Sequence, residues 1–82
     1  MSKISIGIDV SKAQLDCDTT ENNRQEFTND EAGILNLIEW IKSFENIDRI
    51  VLEATGNYHS LCANLLAKEC LPVVIANPRQ VR

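Results

Sequence analysis

The sequence predicts an α/β domain built on a mixed sheet, with elements in the order β-β-β-α-β-α-β. Three observations carry this prediction. Residues 4–19 alternate apolar and polar in two short runs separated by a turn, and a turn cluster then leads into a third short run at 24–28. Two later stretches switch to helical spacing of their apolar residues. Each of those stretches is followed by a short apolar run of strand length.

Taken in order, Ile4, Ile6, Ile8 and Val10 alternate with Ser5, Gly7 and Asp9. This is a strand with one apolar face and one face of small or polar residues. Ser11-Lys12 predicts a tight turn. Residues 13–19 then form a second strand, with Leu15 and Cys17 on one face and Asp16 and Asp18 on the other. Glu21-Asn22-Asn23 is a turn cluster, and residues 24–28 make a short third strand. Turns this short imply an antiparallel meander.

Asn29 and Asp30 both offer N-caps for a helix over residues 31–44. Its apolar positions are Ile34, Leu37, Ile38, Trp40, Ile41 and Phe44, which assigns Trp40 and Phe44 to the core. Acidic residues at its start and Lys42 near its end suit the helix dipole. Residues 48–53, with Ile50-Val51-Leu52 at their centre, read as a buried parallel strand. A second helix spans 58–69, with Leu61, Leu65 and Leu66 facing inward and Asn57 as its N-cap. Residues 71–76 complete the strands, with Pro72 tolerable at the start. Each helical crossover returns a strand parallel to the first.

The 82 residues permit one small domain. With 44% hydrophobic and 24% charged residues, the composition is that of a soluble globular protein. Cys17, Cys62 and Cys70 are odd in number, and Lys3 leads at once into a strand pattern rather than a hydrophobic signal segment. Reduced thiols and a cytoplasmic location are therefore expected. No apolar run approaches the roughly 20 residues that span a bilayer. Residues 1–53 hold 11 acidic and 5 basic side chains, while 54–82 hold 1 and 3. That balance argues against a dedicated nucleic-acid-binding module, which would carry a basic stripe.

In an open α/β sheet, ligands bind beyond the carboxyl ends of the strands. Asp9 closes the first strand and Glu53 the fourth, and the element order sets those strands side by side. Two carboxylates brought together repel unless a cation or proton lies between them. A hard ion, Mg2+ or Mn2+, suits such oxygen donors, and a pair of them supports phosphodiester chemistry.

Thr55-Gly56-Asn57 precedes a helix whose amides would meet a phosphate, or else forms a plain strand-to-helix turn. Tyr58 would stack on a base or pack in the first turn. Lys12 would touch a phosphate or remain an exposed turn lysine. Arg79 and Arg82 would open a nucleic-acid surface or stay solvated. His59, Cys62 and Cys70 invite a zinc reading, but the usual paired spacings are missing.

Three stretches are similar to the amino-terminal domain of DEDD-type transposases of bacterial insertion sequences, the insertion-sequence-110 family. They are Ile6-Gly7-Ile8-Asp9-Val10-Ser11-Lys12, Glu53-Ala54-Thr55-Gly56-Asn57-Tyr58 and Pro72-Val73-Val74-Ile75-Ala76-Asn77-Pro78-Arg79-Gln80-Val81. The resemblance implies an RNase H-like, RuvC-like fold. It also implies a catalytic and metal-ligating role for Asp9 and Glu53, and a recombinase acting on DNA under the guidance of a structured RNA. It assigns two further aspartates and a carboxy-terminal domain with a nucleophilic serine to positions beyond Arg82. The chain is then expected to be the amino-terminal part of one catalytic domain, truncated, inactive alone and prone to self-association.

Two rival readings remain. Sugar kinases and actin-like ATPases open with the same element order and an Ile-Gly-Ile-Asp-Val run. Here Lys12, Ala13 and Gln14 follow, where that class has Gly, Thr or Ser to wrap phosphates. The other rival is a non-catalytic module that docks a partner through its acidic surface.

Overall fold

The computed structural model describes residues 3–54 and 58–76. Its elements are β1 (Ile4–Val10), β2 (Gln14–Thr19), β3 (Arg24–Thr28), α1 (Glu31–Lys42), β4 (Ile47–Ala54), α2 (Ser60–Lys68) and β5 (Val73–Ala76). They form one sheet in the order β3-β2-β1-β4-β5. β2 is antiparallel to both β1 and β3, and β4 is parallel to both β1 and β5. This is the mixed α/β sheet that the order of elements predicts.

The alternation along β1 sorts its residues by burial. Ile4, Ile6, Ile8 and Val10 are buried with Leu15 and Cys17 of β2 and Ile50 and Leu52 of β4. Against them pack Ile34, Leu37, Ile38 and Ile41 of α1 and Cys62 and Leu66 of α2. Each fully buried Leu or Ile contributes about 1.5–3 kcal/mol. Among the described residues no element covers the opposite face of the sheet. Val51 on that face is therefore only half-buried, whereas a strand closed on both sides was expected.

Helix α1 begins where the sequence predicts, but its cap is Asp30 alone. The Asp30 carboxylate accepts from the Gly33 N–H at 2.7 Å and from the Thr28 hydroxyl at 2.9 Å. Those two donors, the amide first, hold its carboxyl below the usual carboxylate range. The helix ends at Lys42 rather than at residue 44. The Ser43 and Phe44 amides turn back to Trp40 and Ile41, tightening the last turn into i→i−3 bonds. Trp40 and Phe44 meet edge to face, with centroids 5.1 Å apart, and are partly buried at the rim of the core.

Helix α2 corrects one expectation. Leu61 is exposed, and Cys62 takes the inward position one turn before Leu66. Cysteine behaves here as a small hydrophobe, so the inward stripe runs through a residue that leucine counting overlooks. The helix starts at Ser60, two residues later than expected. His59 stands at its N-cap without a side-chain hydrogen bond, and Asn57 lies outside the described residues. It ends in a Schellman turn: Cys70 donates to Ala67 and Leu71 to Leu66, with Cys70 at φ 60°. Strand β5 starts at Val73, because Pro72 lies before it and gives only its carbonyl, to the Ile50 amide at 2.8 Å.

Gly33 admits no side chain. A Cβ there would sit 2.0 Å from the Thr28 carbonyl oxygen. Alanine gains about 1 kcal/mol over glycine in helix propensity, but a clash with backbone costs more. Gly33→Ala should thus destabilise the chain by about 2 kcal/mol or more in urea denaturation, and a rise in midpoint would contradict this packing. A lowered folded pKa at Asp30 gives stability that is complete above the unfolded value and is lost as pH falls through the folded one. Asp30→Ala should lower the urea midpoint at neutral pH, with the gap to the parent closing progressively below about pH 4. A gap that persists unchanged in strong acid would mean that the carboxylate charge contributes nothing.

Candidate functional site

Asp9 and Glu53 are direct register partners on adjacent parallel strands. Each lies one residue before the end of its strand, so both stand at the carboxyl edge of the sheet. Both are exposed, on the uncovered face. Strand periodicity accounts for this: Ile8 and Leu52 turn into the core, so their neighbours Asp9 and Glu53 turn outward. Gly7, two residues before Asp9 on the same face, has nothing within 4 Å of where a Cβ would be. The surface beside the pair is open.

More acid gathers there than the sequence reading singled out. The β1–β2 register sets Asp16 against Asp9 and Asp18 against Gly7. The β2–β3 register adds Glu26 beside Asp16 and Arg24 beside Asp18. A row Glu26, Asp16, Asp9, Glu53 therefore crosses four neighbouring strands. Gly7, Asp9, Asp16, Asp18, Arg24 and Glu53 line a shallow hollow of about 380 Å³. A larger one, about 580 Å³, adjoins it over Asp16, Arg24 and Glu26. One oxygen of Asp16 is engaged by the Gln14 amide at 2.7 Å.

The alternation of Asp16 and Asp18 was legible in the sequence. Pairing Asp16 with Asp9 also needed the length of the β1–β2 turn. The Ser11 amide and hydroxyl both donate to the Gln14 carbonyl at 2.9 Å, closing the turn so that Val10 faces Leu15.

Neighbouring strands are about 4.8 Å apart, so carboxylates paired across them repel by roughly 1 kcal/mol in water and more where solvent is thin. Carboxylate oxygens are hard donors of the kind Mg2+ and Mn2+ take. Asp9 and Glu53 make two such donors. Among the described residues no group of three or more His, Cys, Asp or Glu side chains is close enough to hold a metal ion. The pair fits a hard cation as part of a ligand set.

Lys12 is exposed in the turn after β1, and Tyr58 is exposed just before α2. Both flank the carboxyl edge where the pair stands. Thr55, Gly56, Asn57, Arg79 and Arg82 lie outside the described residues. The His59, Cys62 and Cys70 trio does not converge. Cys62 is fully buried, and burial raises its thiol to about 11. Cys17 is raised to about 12, by burial first and then by Cys62 and Asp16. Both are neutral thiols of the core, while Cys70 is exposed at the helix end.

A five-stranded mixed sheet in this order, with carboxylates paired at the ends of two parallel central strands, is consistent with an RNase H-like fold. A family model described as transposase, covering the DEDD enzymes of the insertion-sequence-110 kind, matches residues 6–82. The chain belongs to that transposase family. No curated protein matches it. Among the described residues no helix is long and apolar enough to cross a membrane.

Proposed function

We propose that residues 1–82 are the amino-terminal part of the catalytic domain of a DNA transposase or recombinase, which cleaves and transfers DNA strands with a divalent metal ion. The observation that carries this reading is the register pairing of Asp9 with Glu53 at the carboxyl ends of β1 and β4. Membership of the transposase family supports DNA as the substrate and weighs against the ATPase alternative.

Asp9 and Glu53 are the metal ligands in this reading, and Mg2+ is the physiological ion, with Mn2+ able to replace it. Such an ion, when bound, activates the attacking oxygen and stabilises the leaving one. Asp9 and Glu53 would hold it, and the bound charge would offset the repulsion between the acidic row and the phosphate backbone. The family motif has two further acidic ligands, and Asp9 and Glu53 without them would bind the ion weakly. Lys12, Thr55, Gly56, Asn57, Tyr58, Arg79 and Arg82 contact nucleic acid, either the DNA or the structured RNA that guides it. The protein acts in the cytoplasm.

Self-association belongs to the same reading. Val74 and Ile75 are each about half exposed on β5, an edge strand, and Leu35 and Leu61 are exposed on the helices.

In the complete transposase, Asp9→Asn and Glu53→Gln should each lower Mg2+-dependent strand cleavage by about 100-fold or more, beyond what loss of a group outside the coordination sphere costs. Cleavage near the parental rate in Asp9→Asn would favour the docking module instead. Sedimentation velocity of residues 1–82 should show mass rising with concentration. A monodisperse monomer throughout would contradict self-association.

A further inference from the structure

Asn29 directly follows β3, which runs parallel to β1 and β4, so it lies at the same edge of the sheet as Asp9 and Glu53. It does not cap α1, since Asp30 does that. Its backbone N–H donates to the Ala13 carbonyl at 3.1 Å, in the turn after β1. Its side-chain Nδ2 donates twice, to the Ser11 carbonyl at 2.9 Å and to the Tyr58 carbonyl at 3.0 Å. Ser11 follows Asp9 by two positions, and Tyr58 lies between β4 and α2. One amide nitrogen thus spans the exits of the two strands that carry the carboxylate pair.

The chemistry suits asparagine. A primary amide nitrogen has two hydrogens, so a single atom satisfies two carbonyls. Two acceptors also settle the amide orientation, because a flipped side chain would set oxygen against oxygen. Oδ1 is enclosed without a partner among the described residues, a position that costs stability. The ladder between β1 and β4 ends at Val10 and Ala54, and Asn29 joins the two segments beyond that point.

We propose that Asn29 is a positioning residue: it ties the loop after β1 to the loop after β4 and so holds Asp9 and Glu53 at a fixed spacing for the cation. The proposal rests on the metal-site reading above. Asn29→Asp keeps the shape but sets an oxygen against both carbonyls. Asn29→Ala removes the donors without adding charge, and serves if the first variant does not fold.

Nuclear magnetic resonance of the 15N-labelled chain reads both halves of the proposal. Relaxation and amide exchange at residues 11–13 and 58–60 report the tie. Line broadening of the Asp9 and Glu53 amides by added Mn2+ reports the spacing. In the parent, both amides should broaden with one midpoint. In the variants, both loops should gain mobility together, and the midpoint should rise about tenfold, with the two residues no longer in step. Loops that stay rigid, or loops that loosen while the shared midpoint is unchanged, would overturn the positioning role. Absence of specific broadening in the parent would count against the metal reading alone. The loop mobilities would then decide whether Asn29 is the tie.

Discussion

Parallel hydrogen bonding between β1 and β4 joins two halves of the chain, a three-stranded meander and a β-α-β unit. The register of that joint sets Ile6 opposite Ile50, Ile8 opposite Leu52 and Asp9 opposite Glu53. A slip of one residue would exchange the two faces of β4 and turn Glu53 and Val51 toward the helices. An unpaired carboxylate in that core would cost several kcal/mol, so burial of Ile50 and Leu52 enforces the register. An irregularity near the start of the ladder serves the same end. Ile4 pairs with Ile47 but Ser5 with Arg49, leaving Asp48 as the extra residue. Without that step, Arg49 would stand opposite Ile6 on the core side.

With the apolar face satisfied by α1 and α2, the other face is shaped by what period two leaves there. Ser5, Gly7 and Asp9 on β1, Asp16 and Asp18 on β2, and Glu53 on β4 make a surface that is small in the middle and acidic around it. Among the described residues, Arg24 is the cation that lines the hollow. An acidic row of this kind gains nothing for folding, because its members repel. The stability of the sheet comes from the other face, and that separation lets the carboxylates stand together. Burial of Cys17 and Cys62 belongs to the stabilising side. Their raised thiol pKa values reflect desolvation in the core, not poise for reaction.

Much of this was legible in the residues. Strict alternation in Ile4–Val10, and the turn cluster before Arg24–Thr28, gave strands whose ends match the structure. The Asp30 cap and the start of α1 were legible from local residues too. Ends governed by hydrogen bonding beyond a residue's neighbours were not. The last turn of α1 tightens after Lys42, and Pro72 spends its carbonyl on Ile50 outside β5. Leu61 and Cys62 exchanged roles because helical spacing alone leaves two neighbouring stripes open, and only packing against the sheet selects one.

The sequence by itself determined the order of elements, the kinship with a transposase family, and the presence of a carboxylate at the end of each of two strands. Hydrophobic periodicity and short motifs are local properties, readable without coordinates. The element order already set Asp9 and Glu53 on neighbouring strands; only the tertiary structure decided that they are direct register partners, that Asp16 joins them from β2, and that Asn29 bridges the loops behind them. Those relations depend on strand register and turn closure between segments distant in the chain, where burial on one face dictates what meets on the other.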